Sequence, residues 1–301
     1  MKIKDKILEL KKKKNAVILV HNYQIGEVQD IADLLGDSLD LSKRAQSTTA
    51  DIIVFCGVHF MAEIAKILSP EKMVLLPDLN AGCPLADMAT PEELKKLKAS
   101  HPDAVVVAYV NTSAEIKAQA DICCTSANVI KVISQIEKGR EIIFVPDQWL
   151  GTYAAKETKR ELILWPGFCP THMKIIPEVI AEKRKQHPEA CVILHPECSK
   201  DSLELADEIF GTGGMLKYVK ESNKKEFIIG TEIGIIYRLK KDNPEKEFYP
   251  AEELAICPNM KLTTLEKVLW SLEEEAHEIQ VSRVIAQKAT VPIEKMLAIS
   301  G

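Results

Sequence analysis

Short continuous runs of apolar residues alternate with longer stretches of helical character along the whole chain. Continuous apolar runs of this length are typical of strands buried on both faces, as in parallel sheets joined by crossover helices. They predict strands at residues 16–20, 52–55, 73–76, 104–108, 141–145, 161–164, 191–194 and 227–229. The pattern therefore predicts an α/β fold with parallel sheets throughout the chain.

Three of the predicted strands lead into a ring side chain, and the same series of residue types follows each ring. The rings are His21, Tyr109 and His195, and a second polar side chain comes two residues later, at Tyr23, Asn111 and Glu197. Twelve residues after each ring is the aspartate of an Ala-Asp pair (Asp33, Asp121, Asp207), and seventeen residues after it is a hydroxyl (Ser38, Ser126, Thr212). This constant spacing predicts three internal repeats.

The repeats divide the chain into three predicted α/β domains, at residues 16–103, 104–190 and 191–280. The joints before residues 104 and 191 are rich in proline and polar residues, as expected of boundaries. We expect the N-terminal helix, within residues 1–15, to pack elsewhere on the protein. The C-terminal segment, 281–301, is expected to pack back on the body.

Eight cysteines in 301 residues are too sparse for a disulfide framework and are more typical of buried, catalytic or metal-binding thiols. Cys83, Cys169 and Cys257 lie 62, 60 and 62 residues after the three rings, and each is followed by proline. One such cysteine per repeat predicts that the three converge on a single metal centre. The other five have no matching positions and are predicted to be buried packing residues: Cys56, Cys123, Cys124, Cys191 and Cys198.

The spacing of the three cysteines bears on the kind of metal centre. A zinc site with three thiolates usually recruits them in Cys-x-x-Cys pairs, which this sequence lacks. An iron–sulfur cluster accepts ligands from distant loops, and proline also follows ligand cysteines in ferredoxins. With three protein ligands, one iron of a [4Fe–4S] cluster would stay open and could act as a Lewis acid on a substrate.

Polar residues at the predicted strand ends indicate a binding site. Open parallel sheets bind ligands at the carboxyl ends of their strands, and hydroxyls near helix starts favour carboxylate or phosphate. We therefore expect three such edges to face one axis and form an anion pocket, whereas repeats stacked in a row would share no centre. His172 is a candidate neighbour of Cys169, and the remaining histidines are predicted to have surface or packing roles: His59, His101, His187 and His277.

The net charge of the chain limits the kinds of partner that it is expected to bind. The formal net charge is −5, and the sequence has no long basic block of the kind expected for binding to nucleic acid or a membrane surface. The lysines at 11–14 are interpreted as the solvated end of an amphipathic helix. No apolar run reaches the roughly 18 residues of a membrane span, and the first residues lack the apolar core of a secretory signal. A cytoplasmic protein acting on a small molecule is expected.

Nine segments of the sequence resemble those of quinolinate synthases, and the resemblance covers essentially the full length. They are HNYQ at 21–24, GDS at 36–38, GCP at 82–84, YVNT at 109–112, CTSAN at 124–128, GFCPTH at 167–172, HPEC at 195–198, GTE at 230–232 and CPNMK at 257–261. The resemblance implies three α/β/α sandwich domains related by a pseudo-threefold axis around a central active site. It also implies a [4Fe–4S] cluster held by Cys83, Cys169 and Cys257.

The activity implied by the resemblance is the condensation of iminoaspartate with dihydroxyacetone phosphate to quinolinate, phosphate and water, in de novo NAD synthesis. An enzyme that produces iminoaspartate would then be a functional partner. Proton transfer is expected from Tyr23, Tyr109, His195 and Glu197, with Glu197 preferred as the base. The carboxylates and the phosphate are expected to bind His21, Ser38, Asn111, Ser126, His172 and Thr212.

The sequence departs from the family pattern in two places, and two other functions also fit the residues. Gly211-Thr212 stands where the family commonly has Ser-Thr, so a backbone N–H or water is expected to replace one anion contact. The Cys-x-x-Cys pairs of some members are absent. From the residues alone, the chain could also be an iron–sulfur hydro-lyase acting on a small hydroxy acid, or an iron–sulfur or redox sensor that binds a metabolite without converting it.

Overall fold

Three parallel sheets of four strands each form the framework of the protein, whose computed structural model describes residues 2–299. The first sheet contains β1 (Ala16–His21), β2 (Leu34–Gly36), β3 (Ile52–Cys56) and β4 (Met73–Leu75). The second contains β5 (Val105–Tyr109), β6 (Ile122–Cys124), β7 (Ile142–Val145) and β8 (Ile163–Leu164). The third contains β9 (Cys191–Leu194), β10 (Glu208–Ile209), β11 (Glu226–Gly230) and β12 (Glu247–Pro250).

The three sheets share one topology. Their strand orders are β2-β1-β3-β4, β6-β5-β7-β8 and β10-β9-β11-β12, with parallel pairing throughout. In each sheet the first strand lies where the direction of winding reverses, and a crevice opens outside the carboxyl ends of the strands at such a point. His21 and Tyr109 end β1 and β5, and His195 directly follows β9. The shared topology therefore places all three rings at equivalent crevices.

Helices connect the strands and cover the sheets. They are α1 (Ile3–Lys13), α2 (Gly26–Gln29), α3 (Ser38–Ser47), α4 (His59–Leu68), α5 (Pro84–Asp87), α6 (Pro91–Ser100), α7 (Ala114–Lys117), α8 (Val129–Gln135), α9 (Gln148–Thr158), α10 (Pro177–Gln186), α11 (Lys200–Leu203), α12 (Thr212–Glu221), α13 (Ile235–Asp242), α14 (Leu265–Glu274) and α15 (Arg283–Ile299). Two 3₁₀ turns lie at His172–Lys174 and Met260–Leu262.

Apolar packing joins the first two sheets, and the third sheet has cores of its own. The largest core combines residues of the first and second sheets, and α15 joins it through Ala289, Ile293 and Met296. On the other face of the first sheet, α1 and α14 pack through Ile7 and Leu272. The third sheet has a separate core on each face. Both terminal helices thus pack on sheets formed by the first two repeats.

The repeated Ala-Asp pair has a structural role that is the same in all three sheets. The carboxylates of Asp33, Asp121 and Asp207 each accept a hydrogen bond of 2.8 Å from a backbone N–H of the first strand, at Ile18, Val106 and Val192 respectively. The backbone N–H of each aspartate returns a bond of 2.9 Å to the carbonyl of the same strand residue. Each aspartate therefore fixes the start of a short second strand beside the first one.

The predicted α/β class with parallel sheets is confirmed, and the arrangement agrees with three α/β/α sandwiches. All eight predicted strands are present, with ends moved by at most two residues. The apolar pattern does not predict β2, β6 and β10, because these strands have only two or three residues and the aspartate bonds help to form them. It also does not predict β12, a polar edge strand that ends in proline.

Replacing Asp121 by alanine should weaken the start of β6, because the N–H of Val106 then loses its acceptor. We expect the free energy of unfolding to fall by about 1 kcal/mol, with faster hydrogen exchange at Val106. Urea denaturation and amide exchange would measure both effects. The control Asp103→Ala, at an exposed turn before β5, should change neither; equal effects of the two variants would contradict the role of Asp121.

Candidate functional site

The carboxyl ends of the three sheets surround one cavity of about 250 Å³. Each of the thirteen residues that the sequence nominates for the site lines this cavity, with contributions from all three repeats. They are His21, Tyr23, Ser38, Cys83, Tyr109, Asn111, Ser126, Cys169, His172, His195, Glu197, Thr212 and Cys257. The repeats therefore meet at a shared centre, and the alternative of repeats stacked in a row without one does not hold.

Each of the three cavity cysteines, with the proline that follows it, leads into a short helical turn. Pro84 is the first residue of α5, and the 3₁₀ turns at His172 and Met260 begin three residues after Cys169 and Cys257. The first N–H groups of such turns have no partner within the turn. These N–H groups face the thiols: those of Leu85 and Ala86 face Cys83, that of His172 faces Cys169, and those of Asn259 and Met260 face Cys257. Each turn thus offers donors to a thiolate.

Burial raises the pKa of all three thiols, to about 12 for Cys83. Buried thiols of this kind become thiolates when a metal centre supplies positive charge. The other five cysteines are fully buried in the cores, whereas these three are half-buried and line the cavity. The donor set is therefore suited to a metal or cluster.

Within residues 2–299, one group of three side chains has its possible metal-ligating atoms all within 4.8 Å of one another: Cys169, His172 and Glu197. The three cysteines do not form such a group, although a single zinc ion bound at 2.3 Å would bring its sulfur ligands to about 3.8 Å from one another. At least one pair of the sulfur atoms of Cys83, Cys169 and Cys257 therefore lies more than 4.8 Å apart, which is farther than one ion requires.

A continuous series of hydrogen bonds crosses the wall of the cavity. The Tyr109 hydroxyl donates to Glu197 Oε1 at 2.5 Å, and His172 Nδ1 lies 2.8 Å from Glu197 Oε2. On the other side of the ring, His172 Nε2 lies 2.9 Å from the Thr231 hydroxyl, which in turn lies 2.5 Å from the Tyr23 hydroxyl. Two phenols, an alcohol, an imidazole and a carboxylate are thus joined without a gap.

Glu197 is ionised although it is buried. Burial alone would raise its pKa, but His172, His195 and the Tyr109 hydroxyl together lower that pKa to about 2. The same burial, with the negative charge of Glu197, raises the pKa of Tyr23 and Tyr109 well above the usual value. Glu197 is therefore a carboxylate held between two neutral phenols.

His21 and His195 occupy the same position in the first and third repeats and have the same protonation. In each ring, Nδ1 accepts a hydrogen bond from the backbone N–H two residues later, at 3.2 Å for His21 and 3.3 Å for His195. Burial lowers the pKa of each to about 3, so both rings are neutral near pH 7. Because Nδ1 is an acceptor, Nε2 carries the proton in each ring and can donate to a ligand.

Hydroxyls and helix starts line another part of the cavity. Ser38 and Thr212 are the first residues of α3 and α12, and Ser126 lies in the turn before α8. The Asn22 side-chain amide donates to the Thr212 hydroxyl at 3.0 Å, and Arg238 donates to Oδ1 of the same amide at 2.8 Å. The Thr212 proton is therefore free to face a ligand. Helix starts and hydroxyls bind carboxylates and phosphates well.

Asp37 caps α3 and also lines the cavity. Its carboxylate accepts from the backbone N–H groups of Leu39 and Asp40, both at 2.9 Å. Burial and the neighbouring Asp40 raise the pKa of Asp37 to about 6, which still leaves the carboxylate mostly ionised near pH 7.

A buried ion pair supports the loop of Cys257. Glu232 is fully buried, and its carboxylate lies 2.9 Å from Lys261 Nζ and accepts from the Cys257 backbone N–H at 3.1 Å. Lys261 also donates to the Tyr23 carbonyl at 2.5 Å. The pair thus links the end of β11, the cysteine loop and the backbone of Tyr23.

The repeat analysis did not nominate several residues that hold the site together: Asn22, Asp37, Thr231, Glu232, Arg238 and Lys261. Most of them lie in the segments that resemble the family, such as GTE at 230–232 and CPNMK at 257–261. Spacing did not predict them, because they have no counterparts at matching positions of the other repeats. Only the resemblance of those segments to the family could have indicated these residues.

The fold and cavity define an α/β enzyme for small molecules, built from three repeats around a thiol-lined centre. A sequence model for the family described as "Quinolinate synthetase A protein" matches residues 5–298. The chain is 52% identical over 297 residues to quinolinate synthase of Dehalococcoides mccartyi strain CBDB1, covering 99% of this chain and 98% of that protein. It is 58% identical over 235 residues to the Desulforudis audaxviator quinolinate synthase, covering 78% of each. The chain belongs to the quinolinate synthase family.

The sequence also predicted that no segment crosses a membrane. Among the helices of residues 2–299, none combines the length and the apolar content that a membrane span requires.

The lowered pKa values of His21 and His195 predict a dependence of stability on pH. The unfolded chain binds protons on these rings as pH falls below about 6.5, whereas the folded protein keeps them neutral down to about 3. The free energy of unfolding should therefore fall as pH falls through this range, by up to about 1.4 kcal/mol per pH unit for each ring. His21→Gln and His195→Gln should each make the fall less steep.

Urea denaturation at several pH values between 6.5 and 4.5 would measure these slopes. The double variant should show the two reductions combined. If both single variants kept the slope of the unchanged protein, the neutral buried state of these rings would be refuted.

Proposed function

We propose that this protein condenses iminoaspartate with dihydroxyacetone phosphate to give quinolinate, phosphate and water, as a step of NAD biosynthesis. Membership of the quinolinate synthase family supports this activity. The observation that carries the proposal for this chain is the convergence of thiols, proton-transfer groups and anion-binding hydroxyls from three repeats on one cavity. A cavity of about 250 Å³ suits substrates of this size.

We infer that Cys83, Cys169 and Cys257 hold a [4Fe–4S] cluster. Half-buried free thiols with backbone donors, spaced too widely for a single ion, support a centre larger than one metal ion. When bound, such a cluster would supply an open iron that acts as a Lewis acid on a substrate hydroxyl. No fourth cysteine lines the cavity, in agreement with three protein ligands and one open position.

Tyr23, Tyr109, His195 and Glu197 are proposed to move protons. Tyr23 and Tyr109 remain phenols, and His195 directs Nε2–H into the cavity, so these three can donate. Glu197 is the ionised group and accepts. Its low pKa depends on hydrogen bonds from His172 and Tyr109, and it becomes a stronger base if one of these donors turns to the substrate.

Substrate anions are proposed to bind His21, Ser38, Asn111, Ser126, His172 and Thr212. Both substrates carry negative charge, and these side chains offer N–H and O–H donors beside the starts of α3 and α12. Gly211 replaces the serine common in the family, and a Cβ atom there would lie 2.7 Å from the Ser126 hydroxyl. The absence of a side chain at Gly211 thus lets its backbone lie close to the Ser126 hydroxyl.

The proposal also covers the bounds of the domains, the supply of one substrate and the location in the cell. We propose domains at 16–103, 104–190 and 191–280, each containing one sheet. An imine of aspartate hydrolyses readily in water, so an enzyme that oxidises aspartate would supply this substrate. A cytoplasmic location, expected from the cysteine content, stays a prediction.

Anaerobically purified protein should form quinolinate from iminoaspartate and dihydroxyacetone phosphate, measured by chromatography and ultraviolet absorbance. Simple hydroxy acids offered under the same conditions should not be dehydrated. Dehydration without quinolinate formation would favour a hydro-lyase, and ligand binding without turnover would favour a sensor; either outcome would refute the proposed activity.

Cys83→Ala, Cys169→Ala and Cys257→Ala should each lower the iron and sulfide content and abolish turnover. Iron and sulfide counts with electron paramagnetic resonance would measure the cluster. The matched control Cys56→Ala removes a fully buried thiol away from the cavity and should keep the cluster. A complete cluster in any of the three cavity variants would remove that cysteine from the ligand set.

A further inference from the structure

Lys117, the last residue of α7, is a buried lysine just behind the cavity wall. Its side chain is 0% exposed and does not line the cavity itself. Its ammonium group lies 5.4 Å from the centre of the Phe60 ring, and Phe60 does line the cavity. Because lysines are almost never fully buried without partners, the contacts of this ammonium group indicate what the side chain does.

The ammonium group of Lys117 supports the turn that connects β5 to α7, called here the β5–α7 turn. It donates to the backbone carbonyl of Thr112, a residue that is also fully buried. The Thr112 hydroxyl donates to the Tyr109 carbonyl at 2.9 Å, and the Thr112 N–H donates to the Val110 carbonyl at 2.8 Å. Lys117 thus holds the end of the turn that presents Asn111 to the cavity.

The two cavity residues of the β5–α7 turn are fixed to different degrees. The Tyr109 hydroxyl donates to Glu197 at 2.5 Å, so the third repeat holds this phenol independently of the turn. Among residues 2–299, the side chain of Asn111 has no hydrogen-bond partner of its own, although it lines the cavity. The placement of Asn111 therefore depends on the backbone of the turn, and so on the donor that Lys117 supplies.

A carboxylate of the first repeat compensates the buried charge of Lys117. Glu63, on α4, is 7% exposed and accepts from the backbone N–H of Ala114, the first residue of α7, at 3.1 Å. Burial lowers the pKa of Lys117, and the charge of Glu63 opposes this fall. Phe60 belongs to the same helix as Glu63. Helix α4 therefore contacts both ends of α7, which limits the movement of the turn before it.

We propose that Lys117 is a positioning residue for substrate binding, whose ammonium group fixes the β5–α7 turn and thereby directs Asn111 at an anionic group of the substrate. The inference rests on the proposed function, which places Asn111 among the residues that bind substrate anions. Without the ammonium group, the buried Thr112 carbonyl loses its donor, and the turn can shift. Because Asn111 depends on this turn and the Tyr109 phenol does not, substrate affinity falls more than turnover.

The test replaces Lys117 by methionine, which keeps an unbranched side chain without the ammonium group. In anaerobically purified enzyme with equal iron and sulfide content, Lys117→Met should raise KM for one substrate about tenfold and change kcat less than about threefold. Lys117→Gln keeps a shorter N–H donor and should raise this KM less. It replaces Lys117→Met in every comparison if the methionine variant does not fold.

Asn111→Ala identifies the substrate concerned. Its KM should rise for iminoaspartate or for dihydroxyacetone phosphate, and Lys117→Met should raise KM for the same one. Because Lys117 acts through Asn111, the effects should not add: the double variant should stay within about threefold of Asn111→Ala.

Lys246→Met is the matched control. Lys246 is also buried, donates to the carbonyls of Val219 and Ser222 at 2.5 and 2.8 Å, and has its ammonium group 5.9 Å from the centre of the Phe227 ring. It belongs to the third repeat and does not line the cavity. Lys246→Met should therefore leave both KM values and kcat unchanged.

Amide hydrogen exchange tests the turn without turnover. The N–H of Thr112 should exchange about tenfold faster in Lys117→Met than in the unchanged protein, and at the unchanged rate in Lys246→Met. If the unchanged enzyme with a complete cluster makes no quinolinate, the proposed function fails, and this exchange still decides whether Lys117 holds the turn.

Four outcomes would overturn the inference. They are unchanged KM values in Lys117→Met, a loss of kcat there without a rise in KM, additive effects of Lys117→Met and Asn111→Ala, and unchanged exchange at Thr112.

Discussion

Parallel pairing places the carboxyl ends of all strands in a sheet at one edge, and every polar side chain of the cavity depends on this constraint. Because the three sheets share one strand order, the residues after β1, β5 and β9 reach equivalent places. The same aspartate bonds fix the second strand in each copy. The helices that begin at Ser38 and Thr212 come directly after two of those short strands. The shared topology therefore places these hydroxyls, like the rings, at equivalent positions.

The electrostatics of the cavity combine the buried carboxylate of Glu197 with Asp37 and with the pair of Glu232 and Lys261. Glu197 stays ionised because donors surround it, while burial, together with the charge of Glu197, raises the pKa of both phenols. His21 and His195 are neutral because burial outweighs the attraction of Glu197. The donors available to an anion are mainly neutral side chains and helix starts.

Periodicity and spacing were sufficient to predict the fold class, the three repeats and twelve of the residues that line the cavity, and His172 was predicted from its place beside Cys169. Apolar strands and residues repeated at fixed intervals can be recognised directly in the sequence. The short strands β2, β6 and β10 cannot, since side-chain hydrogen bonds from Asp33, Asp121 and Asp207 help to form them. Repeat spacing did not predict Thr231, Glu232 and Lys261, because each occurs once and acts through a contact between distant segments.

The three repeats share one topology around the cavity but present different side chains to it. The first repeat presents a histidine and a tyrosine, the second a tyrosine and an asparagine, and the third a histidine and a glutamate. A ligand rotated by one third of a turn would therefore meet a different set of donors and acceptors at every contact. An asymmetric ligand is therefore expected to bind in a single orientation.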